Sequence, residues 1–205
     1  MAFLTFEGME GCGKSTQAQR LCARLAQDAL LTCEPGGTAL GRSIRELLLE
    51  PARGAMSPVA EALLYLADRA QHVAEVIQPA LKAGRTVVSD RYVDSTLAYQ
   101  GYGRGLPLDL LYAVAELATG GLRPDLTLFL DVPVELGLER VGKRGRHDRL
   151  ESERLEFHER VHRGYLDLIE REPRRWVLVD GEGSEDEVAA RVDAAVERSG
   201  VLTRR

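Results

Sequence analysis

This chain has little lysine, little cysteine, no surplus of positive charge and no long apolar run. Each shortage narrows what it can be. Lysine occurs only at Lys14, Lys82 and Lys143, so almost all the positive charge is arginine. Acidic residues outnumber basic ones, 32 to 27, for a net charge of −5. That balance gives no global attraction to a nucleic-acid polymer or to an anionic membrane. No apolar run reaches the length that crosses a bilayer. The opening MAFLTFEG is too short and too acidic for a signal peptide, so a cytoplasmic protein with no membrane partner is expected. Cys12, Cys22 and Cys33 are an odd, sparse set, which reads as reduced thiols rather than a disulfide framework. No pair of them has metal-ligand spacing, and the four histidines do not cluster with them.

What is present is the composition of an ordinary folded domain. The chain is 44% apolar and 29% charged, which argues against disorder. Its 205 residues suit one domain, 1–205, able to bury its own core without a disulfide or metal staple.

The pattern alternates strands and helices. Strands are expected at 2–8, 30–33, 86–89, 126–132 and 176–179. Helical spacing covers 14 to about 28, and 38–49 up to near Pro51. Ser57-Pro58 is a helix start, with apolar residues at 59, 63, 66, 70, 73 and 77 running on to Gly84. Pro107 and Pro133 each open a further helix, and Ser184 with Glu187 has capping-box spacing for a last one ending near Gly200. Strands that do not alternate are buried on both faces. Separated by helices, they make an α/β fold: a five-stranded parallel sheet with helices on both sides. The one segment of unusual charge is 140–149, with Arg140, Lys143, Arg144, Arg146 and Arg149 spaced by glycines. By itself it reads equally as a solvated basic loop.

The strongest motif is Gly8-Met9-Glu10-Gly11-Cys12-Gly13-Lys14-Ser15, a match to G-x-x-x-x-G-K-[ST] with a strand before it and a helix after it. The glycines let the loop curl so that successive backbone N–H groups face a phosphate, and the helix aims its positive end at the same anion. Lys14 reaches the β- and γ-phosphates, and the Ser15 hydroxyl ligates Mg²⁺. Residues 8 to 15 with Thr16 are thus expected to form a nucleotide-phosphate-binding loop, the ATP-binding loop if the nucleotide is ATP. No N-K-x-D base-reading motif is present, so a GTP switch is not indicated. Two strands end in aspartate, at Asp90 and Asp131, but neither is followed by glutamate, as a mechanical ATPase would require. Asp90 is followed by Arg91, a carboxylate and a cation that suit a site holding two phosphorylated molecules face to face.

FEGMEGCGKST, CEPGGT at 33–38, LLYLADRAQH at 63–72, DRYVDSTLAYQGYGRG at 90–105 and the arginine-rich stretch before Leu150-Glu151 resemble bacterial thymidylate kinases, along the whole chain and in order. The resemblance implies a P-loop kinase fold with a mobile lid at about 140–151, and phosphorylation of dTMP to dTDP by MgATP in a homodimer. It implies a role for each matching residue. Glu10 accepts from the sugar 3′-hydroxyl. Tyr65 stacks on thymine and Arg69 donates to its O4. Arg91 binds the dTMP phosphate, and Asp90 holds Mg²⁺ through water or orients Arg91. Ser95 or Thr96, with Gln100, meets the polar edge of the base, and Tyr99 lies beneath the sugar. Glu34 lies near the acceptor phosphate and metal, whereas Asp131 is structural. Gly11 stands where some members carry a catalytic arginine, so the lid supplies that charge here, with Arg149 the first candidate and Arg144 and Arg146 the others. One departure is plain: Cys33 stands where the family usually has arginine. Catalysis then rests on Lys14, Arg91, Glu10 and the lid arginine. Two other readings remain open at this point, another nucleotide or deoxynucleoside kinase, and a non-catalytic nucleotide-binding regulator.

Overall fold

A computed structural model of the chain describes residues 1–25, 29–50, 56–143, 145 and 148–203. Five parallel strands form its sheet: β1 Phe3–Glu7, β2 Ala29–Cys33, β3 Thr86–Asp90, β4 Leu126–Asp131 and β5 Trp176–Asp180. Their order across the sheet is β2-β3-β1-β4-β5. The first strand is therefore central, and Phe6 of β1 lies opposite Asp90 of β3. That register brings the loop after β1 and the aspartate ending β3 together at the carboxyl edge, where ligands of open α/β sheets bind.

The period of two along β1 decides what each face does. Leu4 and Phe6 point into a dry core with Leu126, Leu128 and Leu130 of β4, covered by α1 Lys14–Leu25 and α9 Glu185–Ser199. Phe3, Thr5 and Glu7 point the other way, toward the helices that build the site. Thr5 and Thr127 pair through their hydroxyls, 2.9 Å apart, and Glu7 is completely buried.

Two helix starts are capped as their sequences predict. Ser57 caps α3 Pro58–His72 by accepting from Ala60 N, and Ser184 with Glu187 forms the capping box of α9. Thr38 does the same for α2 Ala39–Leu49, accepting from Gly41 N. The helix expected to run to Gly84 continues from α3 through a π-helical turn, Val73–Ile77, into α4 Gln78–Lys82. Its apolar stripe is buried where the spacing places it at Leu66, Val73 and Ile77, but not at its start. Val59 and Leu63 are more than half exposed, while Glu61, Asp68, Arg69 and His72 are buried. The inward face of α3 mixes these polar groups with Ala62 and Leu66 because it forms a wall of the site.

Four helices remain: α5 Val93–Thr96, which runs into a π-helical stretch Leu97–Gly103; α6 Leu108–Thr119; α7 Val134–Gly142; and α8 Leu155–Arg171. Of these, 93–103 and 155–171 go beyond the elements expected from sequence. The signal for α8 lies in the apolar positions 157, 161, 165 and 168, which are its buried stripe. Pro51, Arg144 and Arg146 lie outside the described residues.

Candidate active site

One cleft of about 1100 Å³ opens at the carboxyl edge of the sheet. Its walls come from the loop after β1, the turn after β2, α2, α3, the β3–α5 connection and the 148–151 turn.

The 8–15 loop wraps as its glycines require. Gly11 has φ 71°, and a Cβ there would stand 2.1 Å from the carbonyl oxygen of Gly137 on α7. An arginine at position 11 therefore has no place in this loop, in accord with the assignment of that charge to another segment. Lys14 is folded back across the loop, its Nζ donating to Met9 O at 2.7 Å. The side chains of Met9 and Cys12 are buried. The Ser15 hydroxyl donates to the Asp90 carboxylate in a short contact. A hydroxyl and a carboxylate are hard oxygen donors, and among the described residues no cluster of three His, Cys, Asp or Glu could cage a metal alone. This donor set fits Mg²⁺, which takes few protein ligands and completes its shell with phosphates and water.

Arg91 is the hub. Its φ of 73° is in the left-handed region, unusual for a side chain with a Cβ, and turns the residue back over the sheet edge. Its Nη1 donates to Ser95 Oγ at 3.0 Å and to Tyr165 OH at 3.3 Å, and its Nη2 donates to Tyr99 OH at 3.2 Å and to Glu10 at 3.3 Å. The guanidinium also lies 4.9 Å from the centroid of the Tyr99 ring.

Two carboxylates face this hub with opposite electrostatics. Burial would raise the Glu10 carboxyl, but His158, Arg91, Lys14 and Tyr99 outweigh it and hold it at about 2. Glu10 is therefore ionised and an acceptor, the state that a role at a sugar hydroxyl requires. Tyr99 OH donates to its Oε1 at 2.5 Å, and His158 Nδ1 lies 3.5 Å from its Oε2. Glu7 accepts from Tyr92 N, Ser95 Oγ and Tyr165 OH at 2.8, 2.6 and 2.8 Å. Burial, with Asp94 adding to it, still pushes its carboxyl up to about 7 against Arg91. The folded chain thus holds this proton more tightly than the unfolded chain, and stability falls as pH rises from about 4.5 through 7. Glu7→Gln is expected to flatten this slope, which is worth on the order of 2–3 kcal/mol. Melting temperature measured from pH 5 to 8 checks this, and an unchanged slope refutes it.

The turn after β2 carries an ion-pair network at the cleft wall. Both Glu34 oxygens are taken, by Arg69 Nε at 2.7 Å and His72 Nδ1 at 2.8 Å. Glu34 thus holds Arg69 while lining the cleft. Arg69, 1% exposed, further donates to Thr96 Oγ1 and to Tyr92 O, both at 2.8 Å. Three of its five N–H groups are thereby committed beneath the cleft, beside Thr96. Tyr65, Thr96 and Gln100 line the cleft together, and Ser95 is occupied by Glu7 and Arg91. Cys33 ends β2 opposite Asp90, with burial raising its thiol, and Arg42 and Arg45 of α2 line that side of the cleft instead. Asp131 pairs with His162 Nε2 at 2.7 Å, a contact that suits a structural role.

Arg149 is bound to neighbouring helices. Its backbone N donates to Leu49 O and its Nε to Leu48 O, at 3.2 and 2.9 Å, and its Nη2 is 2.6 Å from Glu61 Oε2. These contacts tie it to the end of α2 and to α3, off the phosphate loop. Arg140 lines the cleft in its place, with Nη1 3.3 Å from Gly11 O. Sequence reasoning also passes over Glu7, His158, Tyr165 and Glu61, because a buried polar group carries no periodic signature of its own.

The thymidylate kinase family model matches residues 6–192. A thymidylate kinase of Desulfovibrio desulfuricans is 52% identical over 205 residues, covering 95% of this chain and 94% of that protein. One from a Synechococcus species is 57% identical over 198 residues, with 95% and 94% covered. The crystal structure of thymidylate kinase from Ehrlichia chaffeensis superposes with a TM-score of 0.79 at 30% identity, covering 96% of this chain and 98% of that one. A phosphate loop, an arginine hub and a base-sized polar wall in one cleft agree with these matches along the whole chain, and the chain belongs to the thymidylate kinase family.

Proposed function

We infer that the cleft holds ATP on the 8–16 loop and dTMP between Arg91, Glu10, Tyr65, Thr96 and Gln100, with the two phosphates meeting over Asp90. As a thymidylate kinase, the chain transfers the γ-phosphate of ATP to dTMP, giving dTDP and ADP. The observation that carries the detailed reading is the meeting of the Ser15–Asp90 contact with the Arg91 hub at one sheet edge. Ser15 and Asp90 would hold Mg²⁺, which would neutralise phosphate oxygens. The acceptor is already an anion, so no strong base is needed, and the residues act by alignment and charge. An assay of ATP and Mg²⁺ against nucleoside monophosphates and nucleosides tests this. Phosphorylation of dTMP above all others is expected, and preference for dGMP or a nucleoside overturns it.

Within this reading Arg140, not Arg149, is the described arginine at the transferring group, in a lid that spans 140–151. Arg140→Ala is expected to lower kcat by roughly 10–100-fold with little change in the KM for dTMP. Arg149→Ala is expected instead to cost about 2 kcal/mol of stability and leave kcat nearly intact, because it removes one of the cations facing Glu61. Steady-state kinetics with thermal melts separate the two, and a kcat loss confined to Arg149→Ala reverses the assignment.

Tyr99 is the gate against ribonucleotides. Its ring is packed against Phe157 and Tyr165, with centroids 6.2 and 6.3 Å away, and its hydroxyl is tied to Glu10. The ring cannot move to admit a 2′-hydroxyl, and it offers that group no partner, a cost of about 1–3 kcal/mol. Tyr99→Ala is expected to shrink the preference for dTMP over its ribose counterpart through better use of the ribose substrate. A proportional loss with both substrates assigns sugar selection elsewhere.

The remaining inferences concern the setting. A second copy of the chain fits the outer face of α3 and α6, where Val59, Leu63, Leu110 and Leu117 are exposed and apolar, giving a homodimer. Free thiols at Cys12, Cys22 and Cys33 support a reducing compartment, the cytoplasm. No described helix is long and apolar enough to cross a membrane.

A further inference from the structure

Glu61 touches no part of the phosphate machinery, yet it is one of the most heavily bonded carboxylates in the molecule. It sits on α3, completely buried. Its Oε1 accepts from Gln100 Nε2 at 2.8 Å and from Arg104 Nε at 3.1 Å. Its Oε2 accepts from Arg104 Nη2 at 3.1 Å and faces Arg149 Nη2 at 2.6 Å. Arg104 is held in turn by Glu153, at 2.6 Å, and by the Phe157 ring, 4.6 Å from its guanidinium carbon. Two arginines therefore keep Glu61 ionised despite its burial, and these cations outweigh desolvation to lower its carboxyl.

An ionised carboxylate can only accept. The Gln100 atom facing Glu61 must then be the amide nitrogen, and the amide cannot turn over. This settles an orientation that the shape of the side chain alone would leave open. The amide oxygen has no donor among the described residues, and Gln100 lines the cleft beside Tyr65 and Thr96.

We propose that Glu61 is a specificity-determining positioning residue: through Gln100 it presents a fixed acceptor to the base, which selects a pyrimidine with an N–H at ring position 3 over one with a lone pair there. Thymine and uracil carry that N–H, and cytosine does not. A freely turning glutamine would accept from one and donate to the other, and would select neither. The pinned amide leaves a bound cytosine ring nitrogen facing an oxygen, two acceptors with no proton between them. The proposal rests on the reading that Gln100 meets the base edge.

The test compares kcat/KM for dTMP and dCMP in wild type, Gln100→Ala, Glu61→Gln, Gln100→Glu and the double variant Glu61→Gln/Gln100→Glu, with thermal melts. Glu61→Gln leaves one oxygen to the arginines and can set an NH₂ group against Gln100, which lets Gln100 turn its own nitrogen to the cleft. It should cut the dTMP-over-dCMP ratio by about tenfold or more, chiefly through a raised KM for dTMP. Gln100→Glu opposes two buried carboxylates and should be severely impaired. The double variant restores one donor and one acceptor facing each other, again with an acceptor toward the cleft. It should recover the dTMP-over-dCMP ratio that Glu61→Gln loses and the activity that Gln100→Glu loses, a rescue that a purely structural role for Glu61 does not produce. If Glu61→Gln keeps the wild-type ratio while Gln100→Ala loses it, Glu61 is not the positioning residue. If Gln100→Ala keeps the ratio, Gln100 does not read the base and both readings fall. A folded double variant that remains as unselective as Glu61→Gln also overturns the proposal.

Discussion

Lys14→Ala should lower kcat by ~10³-fold or more, with a much smaller change in the KM for dTMP. Among the described residues Lys14 is the only lysine at the cleft, and its ammonium rests on the loop's own Met9 carbonyl at 2.7 Å. That hold keeps a flexible side chain in place before ATP arrives, so little ordering remains to be done when charge develops on the transferring phosphoryl group. The ammonium acts there as a point charge. Lys14→Arg should not restore the rate, because a planar fork cannot fold back onto Met9 within the loop. Single-turnover transfer from ATP to dTMP reads the effect directly. A Lys14→Ala protein that retains more than about a tenth of wild-type kcat would remove Lys14 from the transition state.

Arg91→Ala should be comparably severe and should differ in kind. The guanidinium spans Glu10, Tyr99, Ser95 and Tyr165, so its loss strips the phosphate site and leaves the buried Glu10 carboxylate without this cation. A fall in kcat/KM of roughly 10³-fold is expected from lost contact with the acceptor phosphate. A stability loss of about 3 kcal/mol should accompany it, as when one partner of a buried ion pair is removed. Arg91→Lys keeps the charge and so should recover most of the stability. It should recover little activity, because one ammonium cannot reach both sides of the hub. Melting temperature and kcat/KM measured on the same preparations decide the matter. Equal recovery of both by lysine would show that only charge matters at position 91.

The fold class and much of the site are legible in the residues alone. The five strands, the phosphate loop and the caps at Ser57 and Ser184 are local or periodic features, and each is carried by a few neighbouring residues. Elements whose periodicity is masked by function are not legible in that way. Spacing places the stripe correctly at Leu66, Val73 and Ile77 but also runs it through Val59 and Leu63, which face outward, because Glu61, Asp68, Arg69 and His72 take much of the inward face of α3. A hydrophobic pattern finds a core, but a wall of a polar site inverts that pattern, and only the partners across the cleft show why these groups tolerate burial.

Residue order alone therefore settles the succession of strands and helices, the loop chemistry around Lys14 and Ser15, and the family resemblance. Packing in three dimensions settles which groups answer one another over long separations. Glu7 meets Tyr165 across 158 positions, and Arg149 meets Leu48 across 101. Glu34 meets Arg69 across 35 positions, and Arg140 meets the Gly11 carbonyl across 129. An arginine in a basic segment has many carbonyls and carboxylates within its reach, and its residue type does not say which it will take. The choice is made when the sheet register and the helix packing set those acceptors in place, since a buried polar group must be satisfied by whatever the fold puts beside it.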